Sequence, residues 1–514
     1  MPPSVFRPAA PPPGSDQAIP RWHLLVLGAI LLARIALRQH DLTRGGLWMD
    51  ELWAASFVQL GLKDLLVAVI RFDVHPPSYY MQLNVWSALF GRSDAALLAN
   101  SVAWSTLGIA AVWWTASRIL DPMTGLLAAA LTAASGSEVF YGQELRMYAM
   151  VTTLTVVAWH LAERYARRPT LAHGLWLLLC LTPLALAHGA SVVPISCVMV
   201  FLALRLGIPA ALHPRRLWVF VLAGAVCLPA VANSSFRGVS HTHVPDAEVL
   251  LGTVGGWLIG YFPPAPLWLA AIATAIVVGA TMFAIMRPET RPLALGFLVW
   301  PVLFVLSVSL ALRPIWIARL MSFCAPFACI VIAAAIARLA SPRLRLVPSL
   351  VILVPMVACA SGQGGDGRKM EYRETAAFLR EQTKPGDLIL IPEHVAYWGI
   401  ARYFAGPSWG NLLTIQDPVR PGESTAWDPV YARLGPDWLR WLNLIPQGRM
   451  TEVDGRRLMI GGSPDPAMLD AARLWVVGSG RVRPEAMPLC PGTLEEATRF
   501  RGLTVNLWGC NARG

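Results

Sequence analysis

Twelve apolar runs leave this chain few ways to fold. They fall at roughly 22–38, 78–90, 95–118, 122–137, 145–163, 171–188, 190–206, 216–233, 265–286, 293–312, 315–338 and 346–360. Inside a bilayer every backbone polar group must be satisfied within the protein, so runs of this kind are read as helices. Several fall short of the ~20 residues that span hydrocarbon comfortably, which leaves their edges open. Composition points the same way: 55% of residues are hydrophobic and 14% charged, against about 25% charged in soluble domains. The expected architecture is a polytopic α-helical membrane protein of about eleven to thirteen helices. The net charge of +11 would suggest nucleic acid in a soluble chain. Here most Arg sits in short loops between apolar runs, so nucleic acid is not expected as a partner.

Those Arg residues set the expected orientation. Arg164, Arg167 and Arg168 form one cluster, and Arg205, Arg215 and Arg216 a second. Arg287 with Arg291, then Arg338, Arg343 and Arg345, complete the series. Successive clusters are two spans apart, so all can face the cytoplasm. The intervening loops, at Gly189, 234–250 and Arg313, then face outward, with everything beyond 361. Four runs lie between Asp50 and Arg164, where an odd number of crossings is needed. Either 122–137 is a broken or shallow helix that returns to the outer face, or one span is miscounted. No internal repeat is evident, so an inverted-repeat transporter gains no support.

Three domains are expected: a disordered tail rich in Pro and Ala over 1–20, a membrane domain over 21–360 with a first outer loop at 39–77, and a small α/β domain over 361–514. The N-terminus has no signal-peptide pattern, and the first span reads as a retained anchor. Residues 52–70 look amphipathic, and a helix on the outer membrane surface is expected, with a plain span as the other reading. After the linker Gly362–Gly367, Tyr372–Arg380 has helical spacing, Lys384–Asp387 reads as a turn and Leu388–Ile391 as a buried strand. The run Leu474–Val477 ends in Gly478-Ser479-Gly480, read as a turn rather than a nucleotide loop. Six of the eight Cys lie in apolar runs and read as core residues. Cys490 and Cys510, in the tail, can bridge only in an oxidising compartment.

Carboxylates at a membrane edge are costly unless paired, hydrated or functional. Asp50 and Glu51 stand together after the first span, and Asp73-Val-His75-Pro-Pro-Ser-Tyr79-Tyr80 opens the next. A carboxylate can accept a proton or hold a metal, and His75 can give or take one. Arg146 and Arg319 begin spans at the expected outer face, and guanidinium matches phosphate oxygens bidentately. A base beside phosphate-binding Arg suits displacement of a sugar from a polyprenyl phosphate. Each residue also has a plainer reading. Asp50 and Glu51 can cap a helix, and His75 can shape a turn before Pro-Pro. Arg146 and Arg319 can snorkel to the interface, and Tyr79 and Tyr80 can belong to an aromatic belt. His241 and His243 have metal-pair spacing but read as solvated loop residues.

Trp48-Met-Asp-Glu-Leu-Trp53, Asp73–Tyr80 and Tyr141-Gly-Gln-Glu-Leu-Arg-Met-Tyr148 resemble, in order and spacing, motifs of bacterial GT-C glycosyltransferases, similar to the protein O-mannosyltransferases and lipid A aminoarabinose transferases. The resemblance covers about residues 20–340, and Tyr372–Ile391 resembles the soluble domain of bacterial members. It implies an inverting transfer from a polyprenyl-phosphate sugar, with Asp50 as base and Glu51 as its acidic neighbour. Arg146 and Arg319 are the expected donor-phosphate ligands, and His75, Tyr79, Tyr141 and Glu144 the expected substrate contacts. Expected partners are the lipid-linked donor, membrane lipid and an envelope acceptor that is a lipid, glycan or protein. The tail lacks a β-trefoil pattern, which argues against a protein acceptor. The implied location is the bacterial inner membrane, with the site and tail outside. No cofactor is assigned and no metal ligand set is identified, while a divalent metal stays open. A lipid or solute transporter is the alternative class; its marks would be charges deep within several spans.

Overall fold

The computed structural model describes residues 19–39, 42–43, 46–237, 244–261, 265–362, 369–391, 394–406, 450–460, 473–479 and 493–509. Most of the N-terminal tail, His241, His243, most of the Gly-rich linker, Gly480, Cys490 and Cys510 lie outside the described residues. The chain divides into two compact units. One runs to Leu42 and takes in Asp73–Gly91 and Ala95–Gly365; the other comprises Thr43–Phe72, Arg92–Asp94 and Asp366–Gly514.

Eighteen α-helices, among the described residues, carry the chain to Ser361. They are α1 (Arg21–Gln39), α2 (Met49–Phe57), α3 (Leu62–Phe72), α4 (Ser78–Phe90), α5 (Asp94–Ile119), α6 (Pro122–Ala134), α7 (Gly136–Tyr141), α8 (Tyr148–Arg167), α9 (Leu171–Ala185), α10 (Val192–Leu206), α11 (Ile208–Ala211), α12 (Pro214–Arg237), α13 (Ala247–Ile259), α14 (Leu267–Ile285), α15 (Arg291–Ala294), α16 (Trp300–Ala311), α17 (Ala325–Ala337) and α18 (Pro342–Ser361). Six helical stretches among the described residues are long and apolar enough to cross a membrane: Asp94–Ile119, Pro214–Val231, Leu267–Ile285, Arg291–Ala311, Ala318–Ala337 and Pro342–Ser361. Helices α6, α9, α10 and α13 are apolar but shorter.

Local chemistry fixes the helix ends in the larger unit. Asp121 accepts from the Thr124 N–H at 2.9 Å, with Pro122 in the first turn, so α6 starts there. The run 122–137 breaks at Ser135, whose backbone is extended. The Ser135 hydroxyl donates to the Trp257 carbonyl at 2.7 Å and accepts from the Glu138 N–H at 3.2 Å, so it ends one helix and caps the next. Gly136 is required at that corner: a Cβ there would sit 2.4 Å from the Ile259 carbonyl. Around buried α17, Phe327 stacks on Phe297 at 3.9 Å and meets the edge of Trp159 at 5.8 Å. Glu163, buried near the end of α8, accepts from Arg167 at 2.8 Å and from Arg205 of α10 at 2.5 Å. Arg338 pairs with Glu289 in the same way. The basic clusters are thus tied in pairs at helix ends.

The smaller unit holds α19 (Tyr372–Gln382), α20 (His394–Ala405) and a six-stranded sheet of β1 (Leu388–Ile391), β2 (Met450–Val453), β3 (Arg456–Ile460), β4 (Arg473–Ser479), β5 (Thr493–Phe500) and β6 (Leu503–Gly509). The strand order is β2-β3-β1-β4-β6-β5, with β3, β1 and β4 parallel and the outer pairings antiparallel. The uninterrupted apolar run of β1 suits a strand buried on both faces. The turn before it closes as expected: Asp387 accepts from the Lys384 N–H at 2.9 Å, and Gly386 adopts φ +91°. The Asp387 carboxylate also accepts from the Trp475 indole at 3.0 Å and Arg473 at 2.7 Å, which ties β1 to β4. Gly478 and Ser479 are not the expected turn. They pair with Thr504 and Leu503, because β6 runs alongside β4 to its last described residue.

Residues 52–70 do not form one amphipathic helix. The chain turns at 58–61 and makes α2 and α3 instead. Helix α2 packs on α20, with Trp53 and Trp398 rings 5.4 Å apart. Its apolar face thus has a protein partner in the tail. Asp94 fastens the same unit. Its carboxylate accepts from Arg402 at 2.6 Å, Arg373 at 2.8 Å and the Tyr403 hydroxyl at 2.7 Å, while that hydroxyl accepts from the Leu47 N–H at 2.7 Å. Arg402 is itself buried, so Asp94→Ala should cost about 3–5 kcal/mol. The measurement is limited proteolysis and thermal melting of the detergent-solubilised protein. A tail as protected in Asp94→Ala as in the wild type would contradict this role.

Candidate active site

The Asp73–Tyr80 motif is held by its own carboxylate. Asp73 is buried and accepts from the His75 N–H at 2.6 Å and the Tyr80 hydroxyl at 2.9 Å. This clamps the turn that Pro76 and Pro77 stiffen. Ser78 then docks onto the end of α9: its N–H donates to the Leu186 carbonyl at 2.9 Å and its hydroxyl to the Pro183 carbonyl at 2.8 Å. Those contacts bring the 186–191 loop against the motif. Gly189 N–H donates to His75 Nδ1 at 3.3 Å, and the His75 and His188 ring centroids lie 4.4 Å apart.

Arg146 and Arg319 act on the same two rings. Arg146 sits between α7 and α8 and is buried; Arg319 lies half-buried on the 3-10 turn Ala318–Cys324. Burial, then the guanidiniums of Arg146 and Arg319, push the His188 pKa down to about 3. Burial, then His188, Arg146 and Arg319, hold His75 well below the usual histidine range. Both rings are therefore neutral at physiological pH. Arg319, Tyr148 and His188 line one cleft.

The structure thus brings together three residues expected from sequence: His75, Arg146 and Arg319. Tyr141 lies close by in the chain, with its ring 4.9 Å from Tyr148 and 5.7 Å from Tyr261. Glu144 is buried, and its carbonyl accepts from the Ser101 hydroxyl at 2.5 Å. Tyr79 is fully buried, with Tyr80 edge-on at 5.5 Å, so both are packed inside protein and are not a lipid-facing belt.

Asp50 and Glu51 lie on α2, in the smaller unit. Glu51 has no exposed surface. It pairs with Lys369 at 2.9 Å and reaches back to the Trp48 N–H at 3.0 Å, as an acidic residue in the first helical turn does. Asp50, its neighbour, is half-buried. Among the described residues no three His, Cys, Asp or Glu side chains group as a metal site. Sequence reasoning missed His188, Tyr148 and Asp73. His188 carried a signal, since it is a polar ring closing the apolar run 171–188.

No family model matches the sequence, and no curated protein matches it significantly. Two solved structures of ArnT from Cupriavidus metallidurans are similar over nearly the whole chain. The apo form is 12% identical with a TM-score of 0.58, covering 95% of this chain and 97% of that one. The form bound to undecaprenyl phosphate is 13% identical with a TM-score of 0.59, covering 95% and 98%. At such identity the likeness establishes the fold. The membrane fold expected from the three motifs is the one this chain shares with ArnT.

The neutral histidines make stability depend on pH. In the unfolded chain each binds a proton below about pH 6.5; in the fold neither does until well below that. Their contribution is complete above pH 6.5 and is lost as pH falls toward 3. The melting temperature in detergent should drop between pH 7 and 5, with a shallower slope in His188→Phe. Parallel slopes would show that His188 does not carry the effect.

Proposed function

We propose that this chain is an integral-membrane glycosyltransferase that moves a hexose or pentose from a polyprenyl-phosphate donor to an envelope lipid, glycan or protein, with inversion, on the outer face of the bacterial inner membrane. The observation that carries this reading is the cleft lined by Arg319, Tyr148 and His188, with the His75 ring 4.4 Å from that of His188. Two fixed positive charges beside N–H donors suit a phosphate that gains charge as its bond to the sugar breaks. The shared fold with ArnT, solved bound to undecaprenyl phosphate, supports a lipid-linked phosphate as the donor. The membrane part, residues 21–360, would bind the donor, and residues 361–514 would form an extracytoplasmic domain.

The chemistry needs two events at the anomeric carbon. Asp50 takes the proton of the acceptor hydroxyl as its oxygen attacks, and the bond to the phosphate oxygen breaks on the opposite face. The polyprenyl phosphate leaves with the bond's electrons, and Arg146 and Arg319 take up that charge. Buried Glu51, held by Lys369, supports the helix that carries Asp50. His75, Tyr79, Tyr141 and Glu144 remain candidate substrate contacts.

Three experiments test this. Asp50→Asn keeps size and loses the basic oxygen, so turnover by the purified enzyme should fall roughly 10²–10⁴-fold while the donor still binds. Near-normal turnover would remove Asp50 as base. Arg146→Lys and Arg319→Lys keep charge but lose the planar fork, so each should weaken donor binding. Orientation is tested by thiol labelling of single-Cys variants in intact cells with an impermeant reagent. Position 240 should label, while 210 and 342 should not. The reverse pattern would place the tail in the cytoplasm.

A further inference from the structure

The 186–191 loop carries two polar groups for which the fold supplies no use. His188 Nδ1 accepts from the Ala190 N–H at 2.9 Å. A ring nitrogen that accepts from an N–H holds a lone pair, so in the neutral ring the proton sits on Nε2. Among the described residues that Nε2–H makes no hydrogen bond, although the residue is only 8% exposed. Ser191 is 1% exposed, and its hydroxyl has no hydrogen-bond partner among the described residues. A buried donor without an acceptor, as the Ser191 hydroxyl is, costs free energy and is seldom kept without reason. Both residues line the cleft that Arg319 also lines, with Tyr148 beside them.

We propose that His188 and Ser191 are donor-phosphate ligands: His188 Nε2–H and the Ser191 hydroxyl, with the Arg319 guanidinium, form a subsite for phosphoryl oxygens of the lipid-linked donor. This rests on the glycosyltransferase reading and adds residues to its phosphate site. A phosphoryl group is acceptor-only, so it suits a set made of an imidazole N–H, a hydroxyl and a guanidinium. Neutral imidazole adds direction without another charge to desolvate. The rings of His75 and Tyr148, with centroids 4.4 Å and 5.9 Å from that of His188, fix its plane. The plainer alternative is that His188 merely packs there and shapes its loop through Nδ1. The two roles separate by substitution, because Phe keeps the ring and loses the donor, whereas Gln keeps an N–H near Nε2 and loses the ring.

The test is the dissociation constant of undecaprenyl phosphate for the full-length protein in nanodiscs, with melting temperature measured in parallel. His188→Phe should weaken binding about tenfold or more, as loss of a hydrogen bond to a charged group does. His188→Gln should recover most of that loss. Ser191→Ala should weaken binding severalfold while leaving the melting temperature unchanged or raised, since it deletes a buried hydroxyl that has no partner among the described residues. Inorganic phosphate at equal concentration should not displace the lipid; equal displacement would assign the subsite to free phosphate and overturn the proposal. Binding that survives His188→Phe and fails in His188→Gln would assign His188 to packing. If the wild type binds and Arg319→Ala weakens it, while His188→Phe and Ser191→Ala do not, this inference fails and the glycosyltransferase reading stands. If the wild type does not bind undecaprenyl phosphate, both fail.

Discussion

A charge removed from water must find a counter-charge or a set of dipoles, and in an apolar chain that demand decides where polar residues go. Glu163 meets it by holding Arg167 and Arg205, which joins the ends of α8 and α10. Glu289 and Arg338 join two other ends. In the smaller unit Asp94 gathers Arg373, Arg402 and Tyr403, and Glu51 takes Lys369. Apart from the local Glu163–Arg167 pair, each pairing connects segments far apart in sequence, so the polar minority sets the connectivity of a largely apolar chain.

The same rule gives the candidate site its character. Helices α8 and α10 both start beside the 186–191 loop and end at the Glu163 clamp, so carboxylate and arginine are matched at that far end. At the near end Arg146 and Arg319 act on His75 and His188, which stay neutral. Asp73 is spent on the His75 N–H and the Tyr80 hydroxyl, holding the turn that presents His75. Positive charge beside neutral donors suits the anion proposed for this site.

Much of this was legible in the sequence, for physical reasons that can be named. The apolar runs and the motif order pointed to the membrane fold, since hydrocarbon length and backbone satisfaction leave few alternatives. Leu388–Ile391 read as a strand because a short, unbroken apolar run suits a strand covered on both faces. His75, Arg146 and Arg319 stood out because polar groups at span ends are costly. Other features depended on partners elsewhere in the chain. The apolar face of α2 fits a membrane surface as well as a protein, and only Trp398 and Lys369 reveal that it faces the tail. Gly478 and Ser479 resemble a turn until β6 pairs with them. His188 gains significance only when Ser78 docks its loop against His75.

On the proposed reading, one sugar reaches one envelope acceptor through this protein. Mass spectrometry of cell-envelope lipids and glycans decides it, comparing cells with the wild-type protein, cells without it and cells carrying Asp50→Asn at equal abundance. The expected result is the loss of a single hexose or pentose from one class of molecule in both altered strains. Identical envelopes in all three, or a sugar lost without the protein but retained with Asp50→Asn, would contradict a glycosyltransferase that uses Asp50 as its base.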